Sequence, residues 1–183
     1  QAALEEFGIT HPIAHDSYLI NLASPEPQLW KKSIDAMVVE LRRADQLGIP
    51  YVVSHPGSFT TGTEEGGLNR VVRALDRVHA RTRSVRSRCL LETTAGQGTN
   101  LGHRFEHLAA MIVGTEANDR LAVCYDTCHT LAAGYDFRTP GGHAQVFQQF
   151  DEIIGLDRLT VFHFNDSKQG LGSRRDRHAH IGE

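Results

Sequence analysis

Short apolar runs alternate with longer amphipathic segments along the whole chain. We predict strands at these runs, the first of which begins near His15 and continues through Tyr18–Leu22. The other predicted strands are Tyr51–Ser54, Cys89–Leu91, Leu121–Tyr125 and Leu159–Phe164. Runs that are apolar almost throughout are typical of strands buried on both faces of a parallel sheet.

The segments between these runs carry apolar residues at helical spacing. The first predicted helix runs from Gln28 to Leu47, and Gly48 and Pro50 end it. Three more helices are predicted around Leu68 to Val78, Phe105 to Ile112 and Val146 to Ile154. Strands that alternate with helices predict right-handed βαβ units. No break in composition divides residues 1–183, so we predict a single α/β domain.

Composition is ordinary for a soluble globular protein, with 40% hydrophobic and 22% charged residues. No apolar run approaches the roughly 20 residues of a membrane helix, and no secretory signal opens the chain. The three cysteines show no C-x-x-C pattern, which argues against a disulfide framework or a cysteine zinc site. We therefore expect a cytoplasmic protein that does not associate with membranes.

The net charge of −3 is unfavourable for binding nucleic acid. Bound divalent ions would make the electrostatic potential positive around their binding site. Only three of the 19 basic residues are lysine, and arginine suits bidentate phosphate contacts. A general bias toward arginine codons is the alternative explanation.

A potential metal ligand follows each predicted strand. These residues are His15, His55, Glu92, Asp126 and His163, separated by 40, 37, 34 and 37 positions. In a (β/α)8 barrel the carboxyl ends of the strands converge on one active site. The repeat therefore predicts a TIM barrel, represented by roughly five central βα units, whose ligand-type residues share one pocket.

Histidines and carboxylates without a thiolate suit Zn²⁺, Mn²⁺ or Fe²⁺ rather than Ca²⁺ or Mg²⁺. His129, Asp176 and His178 extend the set to eight. One zinc ion takes about four ligands, so eight predict two or three ions. Clustered ions suit phosphoryl transfer. The sequence shows no G-x-S-x-G, P-loop or dinucleotide motif that would indicate another chemistry.

Several segments, in order and in register across His15 to Glu183, resemble the endonuclease IV family of DNA-repair enzymes. These segments are His15–Leu22, His55–Ser58, Glu92–Gly98, Asp126–His129, Ala132–Asp136, His163–Lys168 and Gly172–His178. The resemblance implies a hydrolase that cleaves DNA 5′ to abasic sites and leaves a 3′-hydroxyl and a 5′-deoxyribose phosphate.

The resemblance also implies three zinc ions, with Glu92 as the catalytic residue that bridges two of them. The first ion would be held by His15, His55 and Glu92, the second by Glu92, Asp126 and His163, and the third by His129, Asp176 and His178. Tyr18 and Leu19 match residues that enter the DNA where the base is missing; barrel core is the alternative for both. The implied partner is double-stranded abasic DNA, bound by a monomer. Thr93 stands where many relatives carry asparagine, and we expect little effect from this.

Gln1 is not a methionine, and Glu183 follows a loop rich in charge. A (β/α)8 barrel has about 250 residues. We therefore expect an incomplete barrel that lacks its first two strands and a last-strand glutamate, and that is inactive alone.

Two other functions fit the sequence. A TIM-barrel sugar isomerase or epimerase would use a two-metal site and would not need His129, Asp176 and His178. A metal-binding DNA-recognition protein without turnover would tolerate loss of the bridging Glu92. The presence of both features favours the nuclease.

Overall fold

The computed structural model describes residues 2–183, and its centre is a five-stranded parallel sheet. The strands are β1 (Ile13–His15), β2 (Tyr51–Ser54), β3 (Arg88–Glu92), β4 (Leu121–Asp126) and β5 (Leu159–His163). Each strand pairs with the next along the chain. Within residues 2–183, β1 and β5 do not pair with each other. The predicted succession of βα units in a partial barrel is confirmed.

Within residues 2–183, six helices accompany the strands. They are α1 (Ala2–Glu6), α2 (Pro27–Leu47), α3 (Glu64–Arg81), α4 (Phe105–Gly114), α5 (Thr127–Ala133) and α6 (Pro140–Ile153). Two 3-10 turns (Asn118–Arg120 and Leu156–Arg158) lead into β4 and β5, and a small hairpin joins β6 (Asp166–Ser167) to β7 (His178–Ala179). In the described part of the chain, no helix has the length and apolar character needed to cross a membrane.

The ends of α2 follow the local sequence signals. Pro27 occupies its first turn, where a missing N–H costs nothing, and Gly48 ends it with a left-handed backbone (φ 73°). Helix α6 begins six residues before its predicted start, because the Thr139 side chain accepts a hydrogen bond from the N–H of Gly142 and Pro140 follows. Helix α5 was not predicted at all.

The first strand prediction was wrong in position. The strand is Ile13–His15, and Tyr18–Leu22 forms a loop that begins with a turn from Ser17 to Ile20. The apolar run was misleading because its residues serve different purposes. Ile20 is buried as an anchor for the loop, whereas Tyr18 and Leu19 point into solvent.

Alternate residues of each strand enter two separate apolar layers. In β4, Val123 and Tyr125 pack in the large layer that includes the helices, whereas Ala122 and Cys124 belong to a small inner cluster. This inner cluster also contains Val53, Leu90 and Val161. Because of this alternation, the residue two positions after each member of the inner cluster lies on the same inner face.

Candidate metal centre

Because side chains alternate along each strand, the inner face of the sheet presents several ligand-type side chains at one edge. Glu92 lies two residues after Leu90, Asp126 two after Cys124, and His163 two after Val161. His15 ends β1 and His55 immediately follows β2. Because the strands are parallel, these ends share one edge, and the structure brings all five side chains together there.

The Glu92 carboxylate is the hub of the cluster. Its Oε2 lies 3.0 Å from Nε2 of His15 and 3.2 Å from Nε2 of His55. Its Oε1 lies 2.9 Å from Nδ1 of His163 and 3.4 Å from Nδ1 of His129. Each oxygen therefore faces a different pair of imidazoles, which is the arrangement needed for one carboxylate to bridge two cations.

The remaining candidate ligands form a second group beside the first. Asp176 Oδ2 lies 3.1 Å from Nε2 of His129, and Asp176 Oδ1 lies 3.9 Å from Nδ1 of His178. Asp126 links the two groups, because its Oδ2 lies 3.4 Å from Nε2 of His178 and 3.9 Å from Nδ1 of His163. All eight predicted ligands thus belong to one continuous cluster.

Backbone carbonyls set the orientation of two imidazoles. Nδ1 of His129 donates to the carbonyl of Thr93 at 2.9 Å, and Nδ1 of His15 donates to the carbonyl of Asp16 at 3.0 Å. In the neutral form of each ring, which is the form that binds a metal ion, the lone pair is then on Nε2, which is turned into the cluster. Metal-binding histidines are held in this way.

His129 supplies a direct indication that the cluster suits a cation. Its side chain is 2% exposed, and its Nε2 makes no hydrogen bond within residues 2–183. The Asp176 oxygen 3.1 Å away does not meet the geometry of a hydrogen bond. When the ring is neutral, this buried nitrogen carries the lone pair and, beside a carboxylate, is a good donor for a borderline metal ion such as zinc.

The electrostatics of the cluster favour positive charge. Burial raises the pKa of Glu92, but hydrogen bonds from His129, His15, His163 and His55 outweigh this and hold the pKa far below its usual range. Hydrogen bonds to Asp16 and Glu92 raise the pKa of His15 to about 10. Burial lowers the pKa of His129, whereas Asp176 and Glu92 raise it to about 11. Glu92 therefore remains ionised and attracts cations.

Two residues that hold Asp126 in place were missed as support for the site. Thr93 Oγ1 accepts a hydrogen bond from the N–H of Asp126 at 2.8 Å, and Asn165 Nδ2 donates to Asp126 Oδ2 at 2.9 Å. Asp126 also caps α5, since its Oδ1 accepts from the N–H of His129 at 2.8 Å. The Asp126–His129 spacing therefore combines an N-cap with two ligands, a signal that was available in the sequence.

The loop that carries Asp176 and His178 is tied down at several points. The N–H groups of Gly172 and Arg174 donate to carbonyls at the end of α5, at 3.0 and 2.9 Å. The N–H of Asp176 donates to Oε1 of Gln97 at 3.1 Å. Although most of this loop is exposed, its two ligand side chains are held against the barrel.

Tyr18 and Leu19 lie on the loop that follows β1, three and four residues beyond His15. Their exposed fractions are 92% and 69%, so the barrel-core alternative fails for both. Two large apolar side chains standing in solvent next to a polar cluster suggest contact with a binding partner. Both residues follow the end of β1 that carries His15, so they lie at the same edge of the sheet as the cluster.

A further histidine cluster does not resemble a cation site. Glu64, His103 and His107 bring donor atoms within 4.8 Å of one another. However, Nδ1 of His107 accepts from the N–H of Gly102, and Arg104 contacts both His107 Nε2 (3.0 Å) and Glu64 Oε1 (2.6 Å). The arginine already supplies the positive charge in this cluster.

Comparison with known proteins agrees with this geometry. Residues 1–183 match the family described as xylose isomerase-like TIM barrel. The chain belongs to this family. Within it, the chain is 53% identical over 180 residues to a probable endonuclease 4 of Geotalea daltonii, and 53% identical over 183 residues to one of Chloroflexus aggregans. The resemblance to the endonuclease IV family is confirmed.

Solved structures agree with this family assignment. Endonuclease IV from Thermus thermophilus superposes with a TM-score of 0.80 at 42% identity, over 98% of this chain and 62% of that one. A D-tagatose 3-epimerase-like protein superposes with a TM-score of 0.77 at 20% identity, over 99% of this chain and 64% of the other. The second match shows the fold alone. The chain spans 63% and 64% of the two curated relatives above.

Proposed function

We propose that this chain carries the metal centre of a zinc-dependent endonuclease that cleaves double-stranded DNA on the 5′ side of abasic sites. The cluster of eight side chains around Glu92 is the observation that supports the proposal most strongly. The similarity to proteins named endonuclease 4 agrees with it. We further propose a cytoplasmic monomer; three buried free thiols fit a reducing compartment.

We assign the ligands as the resemblance to the endonuclease IV family implies. The first zinc would be bound by His15, His55 and Glu92, and the second by Glu92, Asp126 and His163. The third would be bound by His129, Asp176 and His178. Two of the three groups, the first and the third, recur among the sets of donor atoms that lie within 4.8 Å of one another.

Zinc held by these residues would lower the pKa of a bound water and offset the negative charge of a phosphate. Glu92 contributes by fixing two ligand pairs relative to each other through its two oxygens. The carbonyls of Thr93 and Asp16 hold the imidazoles of His129 and His15 in the required orientation. No protein nucleophile is needed, because the reaction adds water across a phosphodiester bond.

Recognition of the lesion is proposed for Tyr18 and Leu19. An abasic site lacks one base, so its neighbours lose stacking contacts. An exposed aromatic ring and an exposed apolar side chain can fill that space and replace part of the lost stacking. Intact duplex DNA offers no such space, which would give the preference for damaged DNA.

The sugar epimerase alternative shares the fold but not the whole cluster. A two-metal sugar site has no use for His129, Asp176 and His178, whereas the structure holds all three beside the Glu92 group. Exposed Tyr18 and Leu19 are also better suited to a macromolecular substrate than to a small sugar.

An incision assay tests the proposal. Because the chain spans 63% of the relative from Geotalea daltonii, we would use a hybrid in which this chain replaces the matching segment of that relative. The substrate is a labelled duplex with one abasic analogue, and the unmodified relative is the positive control. We expect a cut 5′ to the lesion that a chelator stops and zinc restores.

Matched substitutions in the hybrid assign the activity to this chain. Glu92→Gln keeps the size of the side chain but removes one of the two acceptor oxygens, and it should abolish incision. Glu106→Gln, on the exposed face of α4, is the control and should leave incision unchanged. Chelator-resistant cleavage, or full activity in Glu92→Gln, would contradict the proposal.

A further inference from the structure

A buried thiol lies at the back of the cluster, outside the ligand set proposed above. Cys128 is in the first turn of α5, two residues after Asp126, and is 1% exposed. Its sulfur, a carboxylate oxygen of Asp126 and a ring nitrogen of His178 all lie within 4.8 Å of one another. A thiol, a carboxylate and an imidazole therefore lie close enough together to bind one cation.

His178 is shared between two possible sites. Its Nδ1 lies 3.9 Å from Asp176, on the side of the third ion, whereas its Nε2 lies 3.4 Å from Asp126, on the side of Cys128. The ring is 42% exposed and belongs to the short strand β7. A neutral imidazole carries one lone pair, on Nδ1 or Nε2 according to its tautomer, so the ring can bind a cation on only one of the two sides.

We propose that Cys128, Asp126 and His178 form a second, alternative site that takes thiophilic divalent cations such as Cd²⁺. Thiolate is the soft ligand that such ions prefer over carboxylate and water. On binding, a cadmium–sulfur bond forms, the S–H bond breaks, and the proton passes to solvent. Because His178 leaves the group of His129 and Asp176, and Asp126 leaves the group of Glu92 and His163, the cadmium-bound form is expected to lose the second and third zinc ions.

The proposal rests on the same cluster as the proposed function but does not require DNA cleavage. It predicts that thiophilic ions would inactivate the centre by binding two of its ligands, Asp126 and His178, rather than by replacing zinc within its own ligand set. Cys124 also lies near Glu92 and His163, within 4.8 Å. Its sulfur is enclosed in the inner strand cluster, whereas the Cys128 group includes the half-exposed ring of His178, so we assign the site to Cys128.

The three cysteines provide their own controls. The protein is titrated with CdCl2 alone, and the ultraviolet thiolate-to-cadmium absorption is recorded together with the zinc released. We expect one cadmium per chain to produce the absorption. Cys128→Ser should lose it, whereas Cys89→Ser should keep it, because Cys89 lies in β3 and packs in the large layer that includes the helices.

His178→Ala leaves all three thiols in place. It should raise the cadmium concentration at half-saturation at least about tenfold, as loss of one of three ligands requires. This variant decides the question if Cys128→Ser does not fold, as judged from its circular dichroism spectrum. No absorption in the unmodified protein, retention in Cys128→Ser, or loss in Cys124→Ser alone would overturn the proposal. An intact cadmium response in a hybrid that cannot incise DNA would count against the proposed function only.

Discussion

Thr93→Val should damage the centre without touching a proposed ligand. Valine has the shape of threonine but cannot accept the hydrogen bond that Thr93 Oγ1 receives from the N–H of Asp126 at 2.8 Å. Both residues are at most 2% exposed, so solvent cannot replace the lost acceptor. A buried, unsatisfied N–H costs about 1–3 kcal/mol. With a urea m-value of about 2 kcal/mol per M, the unfolding midpoint should fall by about 1 M.

The Thr93→Ser variant distinguishes the effect of losing the hydroxyl from the effect of losing the methyl group. Serine keeps the acceptor and loses one buried methyl, so it should cost about 1 kcal/mol through packing alone. Zinc affinity discriminates between the variants more clearly than stability does. A displaced Asp126 should weaken zinc binding at least about tenfold in Thr93→Val, whereas Thr93→Ser should bind zinc as the unmodified protein does. Equal zinc affinity in the two variants would refute the supporting role of the hydroxyl.

Three further predictions concern the ligands, the lesion and acid stability. Glu92→Gln should reduce incision by the hybrid at least about a hundredfold and lower its zinc content, as element analysis would show. Tyr18→Ala should reduce the preference for abasic over intact duplex DNA while the zinc content stays unchanged, and Tyr18→Phe should keep the preference. Equal preference in the unmodified hybrid and both variants would count against the proposed role of Tyr18. Burial and the charge of Arg120 lower the pKa of His79 from 6.5 to about 4, so the unfolded chain binds the extra proton first and stability falls as pH drops from 6.5 to 4. The loss should be on the order of 2–3 kcal/mol by urea unfolding, and His79→Leu should flatten this dependence.

Much of the fold was predictable because its signals are local and repeated. Strands buried on both faces are apolar throughout, as Leu121–Tyr125 is, and helices such as α2 carry their own start and stop residues. The strand-end ligands were predictable for the same reason, since one ligand-type residue recurs in each βα unit. The spacing alone implied one shared pocket.

The errors arose where the same apolar pattern or residue spacing is compatible with more than one structure. Tyr18–Leu22 looks like a strand, but the turn from Ser17 to Ile20 makes it a loop that displays two apolar side chains. Helix α5 has only seven residues and no apolar stripe, so its sole signals were Asp126 before it and Gly134 after it. The support of Asp126 by Asn165 depends on a contact between residues 39 positions apart, which no local pattern reveals.

The number of zinc ions bound per chain tests the central claim most directly. The hybrid is loaded with zinc, freed of unbound metal, and measured by element analysis against its protein concentration. We predict three zinc ions per chain in the unmodified hybrid and two in the His178→Ala variant, because only the third ion depends on His178. A count of one or none in the hybrid, or an undiminished count in His178→Ala, would contradict the assignment of the eight side chains to one multinuclear centre.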